Sequence, residues 1–248
     1  KKNKERNLII GTLKSKILNT NIKFDFEYDK KILKIYNSYL RSKNISFTNE
    51  SVIVFDPFLY IFSEIDIDEI NTLIFKKIDL DKLLKSKNIL KKFNIENKIN
   101  FNSKKFNQTL IDKLNLKLDL GYGRVDYLKK FSIYNNLFDC KGNINLLEEY
   151  PILNFNCDVN FNDKKKFLKA FNIKSKDHNE IFNLNLEGNL SILNKKINLN
   201  NIQSSNNYIA SKEDLLYFKN TFENIVFNEN FLKIFNYKKI KKFLLEIS

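Results

Sequence analysis

The sequence LNLKLDL at residues 114–120 decides the fold class of this chain. Its four leucines occupy alternate positions, and polar Asn, Lys and Asp residues stand between them. Alternation with period two places apolar side chains on one face of a β-strand and polar side chains on the other. The same alternation recurs at residues 22–28, 155–161 and 182–186. We therefore predict several strands that each bury one face.

Strands with one polar face are typical of antiparallel sheets, because parallel sheets are usually buried on both faces. Segments of helical period are few, namely residues 79–93 and a segment that begins at Ser211, where Asp214 completes a capping box. We predict a mainly β fold with a few peripheral helices, built as a long curled antiparallel sheet that forms a β-groove. A closed β-sandwich is the alternative that the pattern leaves open.

The composition indicates a folded chain of 248 residues, of which 43% are hydrophobic and 14% aromatic. No apolar stretch is long enough for a membrane-spanning helix. With only five Gly and two Pro, we expect Asn, which tolerates left-handed backbone, to form many turns. Because the sequence contains no Met, we expect it to be a fragment of a longer protein. We predict one elongated β-rich domain over residues 1–248, with a helical C-terminal segment over residues 211–248.

Residues suited to catalysis or metal binding are sparse. The one histidine, His178, lies in a polar run, and the two cysteines are too distant in sequence to complete a zinc site with it. The carboxylates Asp66 and Asp68 share the solvent face of an alternating segment. Gly121-Tyr122-Gly123 lacks the third glycine and the helix of a dinucleotide fingerprint. We therefore expect no enzymatic activity, no cofactor and no metal.

The charge is strongly basic, with 43 Lys and Arg against 29 Asp and Glu, a formal net charge of +14. Only three arginines are present and the lysines are spread along the chain, which disfavours nucleic acid as a partner. Lysine runs such as residues 164–166 and 238–242 suit a solvated face or contact with anionic lipid headgroups. A general compositional bias towards Lys, Asn, Ile and Phe, typical of a low-GC genome, explains much of this charge and weakens the argument for a selected basic surface.

The two cysteines suggest a cross-strand pair. If Glu148 and Glu149 form the turn of a hairpin, Cys140 and Cys157 are equally distant from it and face each other on the apolar side. Facing residues of an antiparallel pair can meet the geometric limits of a disulfide, which would suit an oxidising compartment. Two buried thiols that behave as small apolar side chains are the alternative.

Three segments resemble the strand pattern of the AsmA-like family, bacterial envelope proteins in the same broad group as TamB. The segments are Gly142-Asn143-Ile144-Asn145-Leu146, Gly188-Asn189-Leu190-Ser191-Ile192, and residues 33–43, which a second amphipathic strand follows. In the first two, the alternating strand begins with a Gly or Asn turn. The resemblance covers most of the chain but includes no membrane anchor.

The resemblance implies a non-catalytic protein of phospholipid transport or of outer-membrane assembly and homeostasis. Phospholipid acyl chains would lie along the apolar face of a β-groove. The resemblance also implies a periplasmic location, an inner-membrane tether through an anchor outside this chain, and envelope proteins as further partners. The residues expected to line the groove come from three alternating strands: Leu114, Leu116, Leu118, Leu120, Phe155, Val159, Phe161, Phe182, Leu184 and Leu186.

A second function stays open at this point. A closed β-sandwich with a basic surface would serve as an interaction module that binds protein or nucleic acid. The two functions differ in what covers the apolar strand faces, since a second sheet covers them in a sandwich and lipid covers them in a groove.

Overall fold

The structure is a computed structural model that describes residues 2–3, 8–70, 90–102, 111–174, 181–227 and 237–247. His178 and residues 79–89 of the helix predicted over 79–93 lie outside the described residues.

The described residues form thirteen strands and three helices. The strands are β1 (Lys2–Asn3), β2 (Leu8–Ile17), β3 (Thr20–Tyr28), β4 (Ile32–Arg41), β5 (Ile45–Val54), β6 (Tyr60–Ile70), β7 (Asn94–Asn102), β8 (Lys113–Gly121), β9 (Arg124–Ile133), β10 (Asn136–Asn145), β11 (Ile152–Phe161), β12 (Phe182–Ser191) and β13 (Lys196–Ser204). The helices are α1 (Lys164–Ala170), α2 (Lys212–Ile225) and α3 (Tyr237–Ile247). The predicted mainly β class with a few helices is confirmed.

The strands follow one another in chain order within an open sheet. Pairing is antiparallel from β1 to β6 and from β10 to β13, whereas β6 and β7 run parallel. The parallel pair differs from the predicted antiparallel order, and the long connection over residues 71–93 explains it, because a parallel pair needs a crossover of a dozen residues or more. The alternative of two packed sheets is not the arrangement of the described strands.

The chain divides into two compact units. The first unit is Lys1–Lys104 with Leu114–Val125, and the second is Lys105–Lys113 with Asp126–Ser248. The first therefore holds β1–β7 and nearly all of β8, and the second holds most of β9, β10–β13 and the three helices. The single domain expected over residues 1–248 stays a prediction.

Helix α1 packs on the sheet of the second unit. Phe167, Leu168 and Phe171 of this helix segment are buried together with Ile133 and Ile173. The helix begins at Asp163, whose carboxylate accepts a hydrogen bond of 2.8 Å from the amide of Lys166. It ends at Asn172, which has the left-handed φ of 56°. Asn therefore supplies the helix stop that Gly commonly supplies.

The two C-terminal helices meet beside a second buried cluster of the second unit. Helix α2 begins with the predicted capping box, in which Ser211 accepts from the amide of Asp214 and Asp214 accepts from the amide of Ser211. Phe222 of α2 packs with the buried residues Leu190, Ile197 and Phe227, and its ring centroid lies 5.7 Å from that of Phe243 in α3. The capping box is confirmed, and both helices fall within the predicted helical segment.

Gly142 and Gly188 do not stand at the turns where we expected strands to begin. Both lie inside strands, β10 and β12, and both face Phe155 on the intervening strand β11. A Cβ at position 188 would lie 2.8 Å from Cζ of Phe155 and 2.2 Å from the carbonyl oxygen of Asn198. These glycines are therefore sites of close approach, which a sequence pattern alone confuses with turns.

Candidate functional site

Six of the predicted lining residues share one face of the β11–β12 pair. Phe161 stands opposite Phe182, Val159 opposite Leu184, and Phe155 opposite Gly188. Leu186 lies on the same face, opposite Cys157. The structure therefore brings together Phe155, Val159, Phe161, Phe182, Leu184 and Leu186 in the second unit.

Helices cover much of this face in the second unit. Val159 is only 2% exposed, and the ring centroid of Phe161 lies 5.0 Å from that of Phe167 in α1. Phe155 packs with the core beneath α2, whereas Leu184 and Leu186 are half-buried. Part of the predicted lining thus contributes to the hydrophobic core of this unit.

The other four predicted lining residues, Leu114, Leu116, Leu118 and Leu120, alternate along β8 in the first unit. All four are half-buried. Their spacing places them on one face of the strand, as the sequence predicts.

The first unit contains an apolar face that the sequence analysis missed. Directly opposed residues on successive strands form a first apolar row from β2 to β7: Ile9, Tyr28, Leu33, Ile53, Ile61 and Ile95. A second apolar row crosses β3 to β7 on the same face: Ile22, Leu40, Phe47, Ile67 and Phe101. We call the face that carries these two rows the row face.

A bulge in β4 keeps the two rows on one side of the sheet. Leu33 and Leu40 differ in position by an odd number, seven, so in a regular strand they would point to opposite faces. The register shifts on both sides of β4 around Asn37, whose φ is 46°. This extra residue restores the alternation, and Leu40 joins the face of Leu33.

Short side chains lie between the rows. Ser51 and Ser63 oppose each other beside the first row, and each is only 7% exposed. The Ser51 hydroxyl donates to Oδ1 of Asn49 at 3.0 Å, and the Ser63 hydroxyl donates to Oδ1 of Asn97. These hydroxyls therefore have partners within the sheet. Larger side chains, among them Phe26, Ile35 and Ile65, also lie between the rows.

The β2 end of the row face is exposed. Ile9 is 45% exposed, and Leu13 and Ile17, which stand on the same face of β2, are 42% and 56% exposed. The helices α1–α3 all belong to the second unit, so none of them is part of the first unit that carries the row face. Exposed contiguous apolar surface of this kind is typical of a binding surface.

Lys129, in the second unit, lies with its ammonium group over an aromatic ring. Its Nζ lies 4.5 Å from the ring centroid of Phe131, which packs against the core beneath α1. Burial lowers the pKa of Lys129 to about 8 and raises the pKa of the neighbouring Tyr127 to about 12. The phenol of Tyr127 donates to the carbonyl oxygen of Asn154 at 3.3 Å.

The other candidate chemistry groups are solvated. Asp66 lies on the exposed face of β6 and accepts a hydrogen bond of 2.9 Å from Asn100. Glu96 accepts from Tyr60 at 3.0 Å and pairs with Lys117 at 3.5 Å, and the Tyr60 hydrogen bond is the main cause of its lowered pKa. Among the residues that the structure describes, no three His, Cys, Asp or Glu side chains converge as metal ligands.

Cys140 and Cys157 stand opposite each other in the β10–β11 hairpin, in the predicted register. Their sulfur atoms are bonded, and their Cα atoms are 4.0 Å apart. The hairpin connection runs from Leu146 to Pro151, so each strand ends earlier than expected while the pairing is unchanged.

None of the described helices has both the length and the apolar character needed to span a membrane. Comparisons with protein-family models, with curated proteins and with solved structures find no match to this chain. The AsmA-like resemblance therefore stays a prediction.

Proposed function

We propose that this chain is a non-catalytic segment of an envelope protein that holds phospholipid acyl chains on the row face and so contributes to phospholipid transport or outer-membrane homeostasis. The observation that carries the proposal is the pair of apolar rows, which cross up to six strands on one face. Neighbouring strands lie about 4.8 Å apart, so the first row extends for about 24 Å.

The arrangement of the rows suits an acyl chain lying across the strands. The hydroxyls of Ser51 and Ser63 are already hydrogen-bonded within the sheet, so an apolar ligand over the strip between the rows would leave neither donor unsatisfied. The flanking isoleucine, leucine and phenylalanine side chains supply apolar contact. Each buried CH₂ group of a lipid contributes about 0.8 kcal/mol.

The second unit would contribute less to such a conduit. Val159 is already buried and Phe161 packs against α1, so an acyl chain could reach only the remaining predicted lining residues of this unit. The row face and the β8 leucines of the first unit are the better candidates, because none of the helices α1–α3 belongs to that unit.

The periplasm and an inner-membrane tether outside this chain are part of the same proposal, with envelope proteins as further partners. The bonded pair Cys140 and Cys157 supports an oxidising compartment, because structural disulfides persist there and are rare in the cytosol.

The test is the phospholipid content of the purified chain, measured by native mass spectrometry. Ser51→Phe would fill the strip between the rows, whereas Glu50→Phe adds the same ring on the opposite, exposed face of β5. We expect lipid on the native chain, loss of lipid from Ser51→Phe and retention by Glu50→Phe. A native chain that folds without any lipid, or equal lipid content in both variants, would contradict the proposal.

A further inference from the structure

Four cations cluster on the polar face of the first unit, close to the β2–β3 turn. Lys14 stands directly opposite Lys23, and Lys16 stands opposite Asn21, which in turn opposes Arg41. We call Lys14, Lys16, Lys23 and Arg41 the basic cluster. Three adjacent strands, β2, β3 and β4, therefore present their positive charges in neighbouring positions.

The basic cluster carries four positive charges, and one carboxylate, that of Asp25, interacts electrostatically with two of them, Lys14 and Lys23. Within the described part of the chain none of its four members forms an ion pair, although six other ion pairs are present. The Asp25 carboxylate accepts hydrogen bonds from the hydroxyl of Thr12 at 2.7 Å and from the amide of Asn37 at 3.1 Å. Like charges directly opposite each other destabilise a sheet, so a further anion beside the Lys14–Lys23 pair would be favourable.

A shallow pocket of about 360 Å³ lies within the basic cluster. Lys14, Lys16 and Arg41 line it together with Asn21 and Tyr39. The guanidinium carbon of Arg41 lies 4.8 Å from the ring centroid of Tyr39, a stacking that orients its donors. Convergent cations and amide donors around a concave surface match the oxygen atoms of a phosphate group.

The turn beside the basic cluster exposes apolar side chains. Leu18 is 94% exposed and Ile17 is 56% exposed. Leu18 and Asn19 both have left-handed backbone, with φ of 44° and 65°. Turns of this kind favour Asn or Gly, so a leucine here is unfavourable both in conformation and in hydration. An observed outlier of this kind points to a function for the side chain.

We propose that this end of the first unit docks on the surface of an anionic phospholipid bilayer. Leu18 and Ile17 insert among the headgroups, and the basic cluster contacts the lipid phosphates. Lys16 and Lys14 precede Leu18 by two and four residues, which places them about 7 Å and 13 Å from the exposed turn. The first distance is within one Debye length of the charged surface at physiological salt, about 8 Å, and the second is within two.

Charge complementarity alone would also permit a nucleic acid, but the exposed leucine favours the bilayer. A surface that tracks a phosphate backbone gains nothing from an aliphatic tip, whereas insertion of an apolar side chain between headgroups removes it from water. The docking proposal stands independently of the acyl-chain proposal, because binding to a bilayer surface requires no lipid on the row face.

The test is co-sedimentation of the full chain with phosphatidylcholine vesicles, with and without phosphatidylglycerol. The variant Lys14→Gln/Lys16→Gln/Arg41→Gln removes three charges of the basic cluster. Its matched control, Lys165→Gln/Lys174→Gln/Lys212→Gln, removes three exposed charges of the second unit and leaves the same net charge. We expect binding that needs phosphatidylglycerol, a loss of about 5-fold for each cluster charge removed, and almost no loss in the control.

A second variant tests the tip. Leu18→Asn suits the left-handed turn, so the chain should fold at least as well while vesicle binding falls by about 10-fold.

Equal losses in the two triple variants would overturn the proposal and indicate non-specific attraction. Unchanged binding of Leu18→Asn, or binding of a single-stranded oligonucleotide with no vesicle binding, would overturn it as well. The cluster variant should keep its lipid content in native mass spectrometry, because the basic cluster is not part of the row face. The docking proposal and the acyl-chain proposal can therefore fail separately.

Discussion

Asparagine takes over the role of glycine at many backbone positions of this chain. Among the described residues other than glycine, ten have a positive φ, and five of these are Asn. Asn172 ends α1 and Asn37 forms the bulge of β4, so the substitution serves helices and strands as well as turns. This use of Asn was expected from the scarcity of Gly and is confirmed.

Gly188 in β12 lies so close to neighbouring atoms that no side chain fits there. Because a Cβ at Gly188 would lie 2.2 Å from a backbone oxygen, we expect Gly188→Ala to destabilise the protein by about 2 kcal/mol or more. In the control Gly121→Ala, the new Cβ would lie 3.6 Å from Oδ1 of Asn94, an ordinary contact distance. This substitution should therefore change the free energy of unfolding by less than about 1 kcal/mol. Urea denaturation of both variants measures the difference, and equal stabilities would contradict the close approach in β12.

Lys129 gives the protein a pH-dependent stability. Its pKa falls from 10.5 to about 8 on folding, so between these values the unfolded chain binds more protons than the folded one. Stability should therefore rise from about pH 8 towards pH 10, by up to roughly 3 kcal/mol, and this gain is absent below pH 8. The free energy of unfolding against pH measures the effect. Lys129→Met should remove the rise, and an unchanged slope in that variant would assign the effect to another group.

At the scale of single elements, the start of α2 depends on its capping box. Ser211 and Asp214 satisfy each other's backbone amides, at 3.1 Å and 3.0 Å. Ser211→Ala should destabilise the protein by about 1 kcal/mol. A double-mutant cycle with Asp214→Ala should give less than the sum of the two single effects, since both act on one cap. Strict additivity would show that the two hydrogen bonds are independent.

Strands were the elements most accessible from the sequence. Period-two alternation located β3, β8, β11 and β12, and the symmetric spacing of the cysteines gave the register of the β10–β11 hairpin. The bulge at Asn37 was not predictable, because it interrupts the alternation and makes β4 look irregular. The parallel pairing of β6 and β7 also carries no local signal, since it depends on where a long connection returns to the sheet.

At the scale of the whole molecule, sequence periodicity could not tell which apolar strand faces are covered. Leu118 in the first unit and Val159 in the second alternate in the same way, yet Leu118 is half-buried and Val159 is buried in its own unit. Covering depends on where α1 and α2 dock, which is a matter of tertiary packing. The residues predicted to line the groove therefore include both half-buried side chains and buried core side chains.

A pair of charge substitutions distinguishes a covered from an open apolar face. Val159→Glu would place an unpaired carboxylate in the core of the second unit, where we expect a loss of several kcal/mol in the free energy of unfolding. Leu13→Glu, on the exposed end of the row face, should cost less than about 1 kcal/mol. Thermal unfolding of both variants measures this, and a similar large loss from Leu13→Glu would mean that the row face is packed in solution.

The central claim, that acyl chains lie on the row face, is tested most directly by photolabelling. A phospholipid with a diazirine in its acyl chain is bound to the purified chain, irradiated, and its adducts are mapped by peptide mass spectrometry. We expect adducts on the rows and the strip between them, at residues such as Ile53, Ile61 and Ser63, and their loss in Ser51→Phe. Adducts confined to the opposite face, at residues such as Thr48 and Glu64, would contradict the claim.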